Sequence, residues 1–499
     1  MTRLFDDAEL SRLATPLSIT LERAVEARDA SLLPWIAEQA DLECLWIYDA
    51  YVPWIGTLQR LIVDRGGQTA HDLALTWVQE SGIRPFVRHF EGLDDRARVE
   101  RVGMMLRASG STFDVEEHDD VVRFRLSSWG PARWWRQPAA WQSDGANRHR
   151  VGDRVEYPRH GQYGPPTSFP TLTGARPMTR GRAELPANLA FEVLFWETVP
   201  IELYGRPIAV IGLGDGPDDP VTLDVPKDGA DVPNEVYEAN GLAKPRVATG
   251  SPAQGIFTAE ELERIATPLS VRLSNAAGAG DWDALAALTA RWDEELVIAK
   301  DPLGVSIGAL LTWITRRYGE AGLEQALVDT ADVVMAPFIH TVRDMDSADS
   351  IRAWSIAWRA HGSTFSIEEE DERFLFRGQP LGHCARLWAS AEPYEIRRVS
   401  DDRVRYPSFG SYDAPHSFAV TREPRPITHG KVGYPVYSCH CVMLHEIYPI
   451  DQLGHPLWVE EHPIDDHDGD TVHIHYKDPS AWPERYYEAV GRTKPVTAG

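Results

Sequence analysis

The chain has 499 residues, a formal net charge of −25, 43% hydrophobic residues and 25% charged residues. This length exceeds one ordinary hydrophobic core, and the composition is that of a folded globular protein. The negative charge repels phosphate backbones and anionic lipid surfaces, which argues against nucleic acid and membrane partners.

The first residues, MTRLFDDAEL, contain no basic stretch followed by an apolar run, and no apolar run in the chain is long enough to span a bilayer. We therefore expect a cytoplasmic protein. Its four cysteines are too few for a disulfide framework.

An internal repeat dominates the sequence. The segment from Phe5 matches the segment from Phe257 without a gap until Gly110 and Gly362. After a three-residue deletion in the second copy the register continues, and the copies end on the similar segments VPNEVYEANGLAKP and WPERYYEAVGRTKP. The pattern predicts a tandem duplication.

The two units are predicted at residues 1–246 and 257–499, each of about 245 residues, with boundaries uncertain by a few positions. Between them, VATGSPAQGIF has the Gly, Pro and small residues of a linker.

Within each unit, roughly the first 110 residues have helical patterns. Thr15-Pro16 and Thr267-Pro268 are predicted as an N-cap followed by proline at the first helical position. The segments STFDVEEHDDVVRFRL and STFSIEEEDERFLFRG then alternate around an acidic turn, as a hairpin does. Farther on, LAFEVLFW and VYSCHCVML are predicted as strands. The expected class is α+β, with a helical bundle followed by a β-rich, loop-rich part in each unit.

The two units differ most in their reactive residues. Twelve of the 17 histidines and three of the four cysteines lie in the second unit. Residues that the fold requires should occur in both copies, whereas residues required only for chemistry can occur in one. The first unit is therefore predicted to be a scaffold or a degenerate partner, and the second to carry the active site.

The segment Cys439-His440-Cys441 suggests a metal site. If it is a strand, both thiols lie on one face, close enough to bind one ion. Cys384 is the candidate third ligand, which gives a thiolate-rich set suited to zinc. The candidate fourth ligand is one of four histidines: His383, His416, His429 or His445. The preferred ligand set is Cys384, Cys439, His440, Cys441 and His445.

Three residues are candidates for catalysis. Glu446 could act as general base beside His445, because metal-bound water needs a nearby acceptor. Glu197 occupies the equivalent place in the first unit, however, which favours a role in the fold. Arg386 could hold a carboxylate substrate, or form an ordinary surface ion pair.

Two weaker features complete the set. His473 and His475 would share one face of a strand in TVHIHY and could add to the metal site. Cys44 lies in an apolar helical stretch and is expected to be core.

The leading hypothesis is a zinc-dependent enzyme that acts on a small polar molecule, by hydrolysis or addition at a carbonyl-type centre. One alternative is a non-enzymatic binding protein or scaffold stabilised by zinc. Another is a metal-free thiol enzyme that uses Cys441 or Cys384 with a nearby histidine. The paired units allow a monomer with pseudo-twofold symmetry, and a homo-oligomer remains open.

Overall fold

The computed structural model describes residues 3–128, 150–151, 155–156, 171–172, 185–213, 221–246, 250–298, 300–343, 345–363, 365–378, 419–461 and 471–495. Residues 3–246 are called the first half below, and residues 250–495 the second half.

The described helices of the first half form a bundle and a smaller group that follows the sheet. They are α1 (Asp7–Ala14), α2 (Leu17–Ala27), α3 (Leu33–Val78), α4 (Arg84–Val87), α5 (Asp95–Ala108), α6 (Ala187–Val193), α7 (Val199–Tyr204) and α8 (Asn234–Ala239). Single π-helical turns occur at Gln79–Ile83 and Leu194–Thr198.

The described helices of the second half follow a similar order, except that the segment equivalent to α3 is divided between two helices. They are α9 (Ala259–Ala266), α10 (Leu269–Ala279), α11 (Trp282–Ile298), α12 (Lys300–Val342), α13 (Ser347–Ala360), α14 (Cys439–Val442), α15 (Tyr448–Leu453) and α16 (Glu484–Ala489). A π-helical turn at Met443–Ile447 joins α14 to α15.

The strands form two larger antiparallel sheets and two small ribbons. The strands are β1 (Thr112–Glu117), β2 (Val121–Ser128), β3 (Arg150–Val151), β4 (Val155–Glu156), β5 (Thr171–Leu172), β6 (Leu185–Pro186), β7 (Val210–Gly212), β8 (Val221–Pro226), β9 (Phe365–Glu369), β10 (Arg373–Gly378), β11 (Val459–Glu461) and β12 (Thr471–Tyr476). The sheet orders are β1-β2-β8-β7 and β9-β10-β12-β11, and the ribbons are β3-β4 and β5-β6.

Helices and strands thus occur together as the α+β prediction requires, and both predicted hairpins are confirmed as the antiparallel pairs β1-β2 and β9-β10. No helix in the described part of the chain is long and apolar enough to cross a membrane.

The predicted capping of the second helix is wrong by one residue. Pro16 and Pro268 themselves occupy the N-cap position of α2 and α10. The preceding threonines instead cap the C-terminal ends of α1 and α9. Thr15 Oγ donates to the carbonyl of Ser11, and Thr267 Oγ donates to the carbonyl of Glu263. Proline lacks an N–H, so it is tolerated where a helix would leave that donor unpaired.

The strand predictions for LAFEVLFW and VYSCHCVML are also wrong, because both segments are helical. The side chains in these segments are buried on every side; for example, Leu189 to Phe195 are all buried. A short run that is apolar all round has no polar face, so its periodicity cannot distinguish a buried helix from a strand.

The two long helices α3 and α12 pack against each other at the centre of the molecule. Each contains one glycine with non-helical backbone angles, Gly67 at φ 67° and Gly319 at φ 71°. Positive φ favours glycine because a Cβ atom would be strained there. One hydrophobic core runs through both halves.

The halves also exchange contacts near their sheets. The Glu369 carboxylate, in the second half, accepts a 3.0 Å hydrogen bond from the N–H of Phe5. Glu117, in the first half, accepts a 3.0 Å bond from the N–H of Phe257. Each half therefore fixes the start of the other.

Two buried ion pairs also join the two halves within the helical bundle. Arg359 Nε lies 2.5 Å from Glu43, and both side chains are 1% exposed. Arg107 Nε lies 2.7 Å from Glu295, with side chains 7% and 3% exposed. Each pair joins a helix before one sheet to a helix of the other half.

Candidate functional site

A cavity of about 90 Å³ lies where α3 of the first half meets the second half. We call it the central cavity. Five of the residues that line it are aromatic: Trp46, Tyr51, Trp54, Trp358 and Trp458. Six carry ionisable groups: His361, His440, Cys441, His445, Glu460 and His473.

Several elements bring these residues together. Trp46, Ala50 and Trp54 lie four residues apart on α3, so they share one face of that helix. The remaining wall comes from α12, the end of α13, α14 with the π-helical turn that follows it, and the region of strands β11 and β12. The cavity is thus formed by both halves, although its ionisable groups all come from the second.

The helical conformation changes the expected geometry of Cys439 and Cys441. Successive side chains on a helix are about 100° apart, so these two thiols point in nearly opposite directions. Cys439 Sγ donates to the carbonyl of Pro435 at 3.5 Å, whereas Cys441 lines the central cavity. The premise that both thiols face one ion along a strand is therefore wrong.

Among the described residues, no group of three or more His, Cys, Asp or Glu side chains is arranged to hold a metal ion. Four of the residues proposed above as ligands or catalytic groups, His383, Cys384, Arg386 and His416, lie outside the described residues. The zinc site and the role of Arg386 therefore stay predictions.

His440 and Cys441 form a contact at the cavity wall. Cys441 Sγ lies 3.6 Å from His440 Nε2. On its other side, His440 Nδ1 bonds to the carbonyl of Tyr437, which can only accept, so Nδ1 is the protonated nitrogen. Nε2 is then the basic nitrogen, and it faces the thiol.

His445 is buried and packs its ring 4.0 Å from that of Trp458. Burial lowers the pKa of His445 well below its ordinary value, and the nearby His440 and His473 lower it further. The imidazole is therefore neutral at pH 7. Its Nδ1 atom is buried and has no hydrogen-bond partner in the described parts of the chain.

Glu460 and His473 face each other on neighbouring strands, at paired positions of β11 and β12. His473 Nε2 lies 3.3 Å from Glu460 Oε1, with side chains 7% and 1% exposed. The ring of His473 lies 4.3 Å from that of Trp358. A carboxylate and an imidazole thus form a buried pair on the sheet side of the cavity.

Glu446 does not line the cavity. One of its oxygens lies 2.9 Å from His429 Nε2, and the other accepts from the N–H of Glu460. Burial alone would lower the pKa of His429, but the Glu446 carboxylate outweighs it and the pKa is raised. Burial raises the pKa of Glu446 itself.

The first half has the same bond to its sheet, because Glu197 accepts from the N–H of Ile211 at 2.7 Å. A contact of Glu446 present in both halves is explained by the fold, which ties the π-helical turn to the neighbouring strand. Catalysis by Glu446 stays a prediction.

At the corresponding place in the first half, the cavity-lining groups are replaced by core side chains. Phe191, Trp196, Ile211 and Leu223 stand where His440, His445, Glu460 and His473 stand in the second half, and all four are at most 5% exposed. Glu192 there accepts from the Trp196 indole at 2.9 Å, and burial raises the pKa of Glu192 to about 7.

The two histidines of TVHIHY line different cavities. Both lie on β12, as predicted, and His473 lines the central cavity. His475 lines a second, outer cleft of about 500 Å³. Its Nδ1 lies 2.7 Å from the carbonyl of Leu457, and burial lowers the pKa of His475 to about 4. They do not form one metal site.

Sequence reasoning missed His361, Glu460 and the first-half residues Trp46, Tyr51 and Trp54 as site residues. Comparing the units could have found His361 and Glu460, which stand opposite Ser109 and Ile211. The same comparison distinguishes Trp46 and Trp54, which stand opposite Ile298 and Ser306, but their contact with the second half depends on how the two halves pack. Cys44 packs against the smaller hydrophobic cluster, as expected for a core residue.

Comparison of the chain with protein families, with curated proteins and with solved structures finds no match.

Proposed function

We propose that the chain is an enzyme that acts on a small molecule in the central cavity, with Cys441 as nucleophile and His440 as its base. The observation that carries the proposal is the 3.6 Å contact between Cys441 Sγ and His440 Nε2 at the cavity wall. The thiolate is the reactive form of cysteine, and an adjacent imidazole can take its proton.

The surroundings of this pair support the proposal. The Tyr437 carbonyl fixes the orientation of His440, as the third member of a nucleophile–base arrangement does. His445, neutral and with an unpartnered Nδ1, adds a group able to exchange a proton with a ligand. A reduced thiol is compatible with the cytoplasmic location that the sequence indicates.

The proposal is tested by alkylating the native protein with iodoacetamide and following each cysteine by mass spectrometry. We expect Cys441 to react at least tenfold faster than Cys439 and Cys44. These two are internal controls: burial raises the pKa of Cys44 to about 12 and also raises the pKa of Cys439.

The variant His440→Phe, which copies Phe191 of the first half, should slow the reaction of Cys441 because the base is lost. A Cys441 that reacts no faster than Cys439, or whose rate does not change in His440→Phe, would overturn the proposal. Trp77→Phe, on α3 but outside the lining of the cavity, is the control for unspecific loosening.

A metal-dependent enzyme is the second candidate, with the same small-molecule substrate class. It is favoured by the concentration of imidazole, thiol and carboxylate groups around one cavity, and Cys384 remains a further candidate ligand. Plasma mass spectrometry of the purified protein and of a Cys439→Ser, Cys441→Ser double variant tests it. About one zinc per chain that the double variant loses would support the metal; a metal-free wild type would remove it. Zinc held by four protein ligands, with no open coordination position, would instead fit the non-enzymatic alternative.

We also propose that the chain arose by tandem duplication of one unit. The support is the repeated sequence, the matching strand order of the two larger sheets, and the glycines at equivalent kinks of α3 and α12. In this proposal the second unit kept or gained the reactive residues, while the first kept the residues that pack the core. Separately produced 1–246 and 257–499 segments should associate when mixed, since each half completes the other; their failure to do so, when each is folded, would count against it.

A further inference from the structure

Aromatic rings form much of the wall of the central cavity, and they come from both halves. Trp46, Tyr51 and Trp54 belong to α3, while Trp358 and Trp458 belong to the second half. The indole nitrogens of Trp46, Trp54 and Trp458 are buried. These nitrogens have no hydrogen-bond partner in the described part of the chain, and the five rings give the wall a large aromatic surface.

The cavity wall contains an acidic side chain and no Lys or Arg among the described residues. Glu460 is the one carboxylate among the described lining residues. The side chain of Glu460 is 1% exposed, so its charge is poorly screened by solvent. Its nearest imidazole is that of His473, whose Nε2 lies 3.3 Å from Glu460 Oε1.

The size of the cavity limits its occupant. An apolar cavity of about 150 Å³ accommodates benzene, which has six non-hydrogen atoms, so a cavity of about 90 Å³ suits a group of about four or five. A trimethylammonium or tetramethylammonium group has this size.

Ile298, Ser306 and Ile211 occupy the positions equivalent to Trp46, Trp54 and Glu460. These two indole rings and this carboxylate are thus not repeated at the equivalent positions of the chain. Because both features line the same cavity, they point to a ligand that uses both.

We infer that the central cavity binds a small organic cation, with a methylated ammonium group as the part that sits against the aromatic wall and Glu460. Aromatic faces attract such cations, and this attraction increases when water is excluded. The net charge of −25 adds a long-range attraction for cations. The inference names the substrate class for the site in the proposed function and rests on that site.

The inference is tested by calorimetric titration of the full chain with tetramethylammonium chloride, with tert-butanol as a neutral molecule of equal size, and with sodium acetate as an anion. We expect the cation to bind at least tenfold more tightly than tert-butanol, and acetate not to bind. Tetramethylammonium should also slow alkylation of Cys441 by iodoacetamide without changing that of Cys439, which places it in the cavity.

Three variants identify the groups responsible. Glu460→Gln should remove most of the preference for the cation over tert-butanol while leaving tert-butanol binding unchanged. Trp54→Ser, which copies Ser306, should weaken cation binding about tenfold, and the milder Trp54→Phe should retain part of it. Trp77→Phe, on the same helix but outside the lining, should have no effect.

The outcomes separate this inference from the proposed function. Equal binding of tetramethylammonium and tert-butanol, or a preference unchanged by Glu460→Gln, would overturn the cation assignment while rapid alkylation of Cys441 left the thiol proposal standing. Binding of none of the three probes, with Cys441 still reactive, would likewise overturn it. Slow alkylation of Cys441 together with tight cation binding would instead remove the thiol chemistry and keep the ligand class.

Discussion

The two halves of the molecule share one packing arrangement but place different kinds of side chain in it. In the first half, Trp196 and its aromatic neighbours fill the space between the π-helical turn and the sheet, with ring contacts such as Phe195 to Trp196 at 4.8 Å. In the second half, His445 and His473 take the equivalent positions and a cavity remains. The comparison shows that a core position can hold ionisable groups when the other half of the chain supplies part of the wall.

The largest effect should come from a feature that both halves share. Arg359→Met and Arg107→Met each remove one partner of a buried ion pair and leave Glu43 or Glu295 without its partner. Each should lower the free energy of unfolding by about 3–5 kcal/mol. Urea denaturation measures both. A loss in one variant and none in the other would show that the halves are not packed equivalently.

Exchanging the residues at the equivalent positions 196 and 445 should change the free energy of unfolding by different amounts. Trp196→His removes a buried indole and should cost about 3 kcal/mol of unfolding free energy. The reverse change, His445→Trp, fills part of the central cavity and should change stability by less than about 1 kcal/mol. It should also block alkylation of Cys441. Thermal unfolding compares the two; equal losses would show that the cavity has no room for the indole.

Replacing Glu460 and His473 by their first-half counterparts should remove ligand binding while maintaining or raising the free energy of unfolding. The double variant Glu460→Ile, His473→Leu copies Ile211 and Leu223, and should be at least as stable as the wild type, by up to about 1 kcal/mol. It should lose the binding of tetramethylammonium. Glu460→Ile alone, which leaves His473 without the carboxylate, is the comparison variant. A double variant less stable than the wild type would mean that the pair contributes net stability.

The last prediction concerns pH. The pKa of His445 is far below its ordinary value of 6.5 in the folded chain, so the unfolded chain takes up this proton first as the pH falls. The associated stability is present above pH 6.5 and is lost below it, by at most about 1.4 kcal/mol per pH unit. His445→Trp should therefore lose less stability than the wild type between pH 6.5 and 5. Parallel curves for the two proteins would contradict a neutral, buried His445.

The sequence allowed parts of the fold to be predicted because those parts have a solvent-facing side. The hairpins β1-β2 and β9-β10 alternate exposed and buried positions, for example at Phe113 and Phe365, and were predicted correctly. The helix that begins at Cys439 has no such side, since Cys439 to Ile447 are all buried. The sequence of this segment therefore shows no helical period, and the strand prediction wrongly placed the two thiols on one face.

By itself, the sequence determined the helical start of each half, its hairpin and the concentration of histidine and cysteine in the second half, and it led to the proposal of a duplication. Only the tertiary structure decided that His440 faces Cys441, that His473 and His475 belong to different cavities, and that α3 of the first half completes the site. The reason is physical. Local patterns record which side of an element is buried, whereas the partner across an interface is chosen by packing between residues hundreds of positions apart.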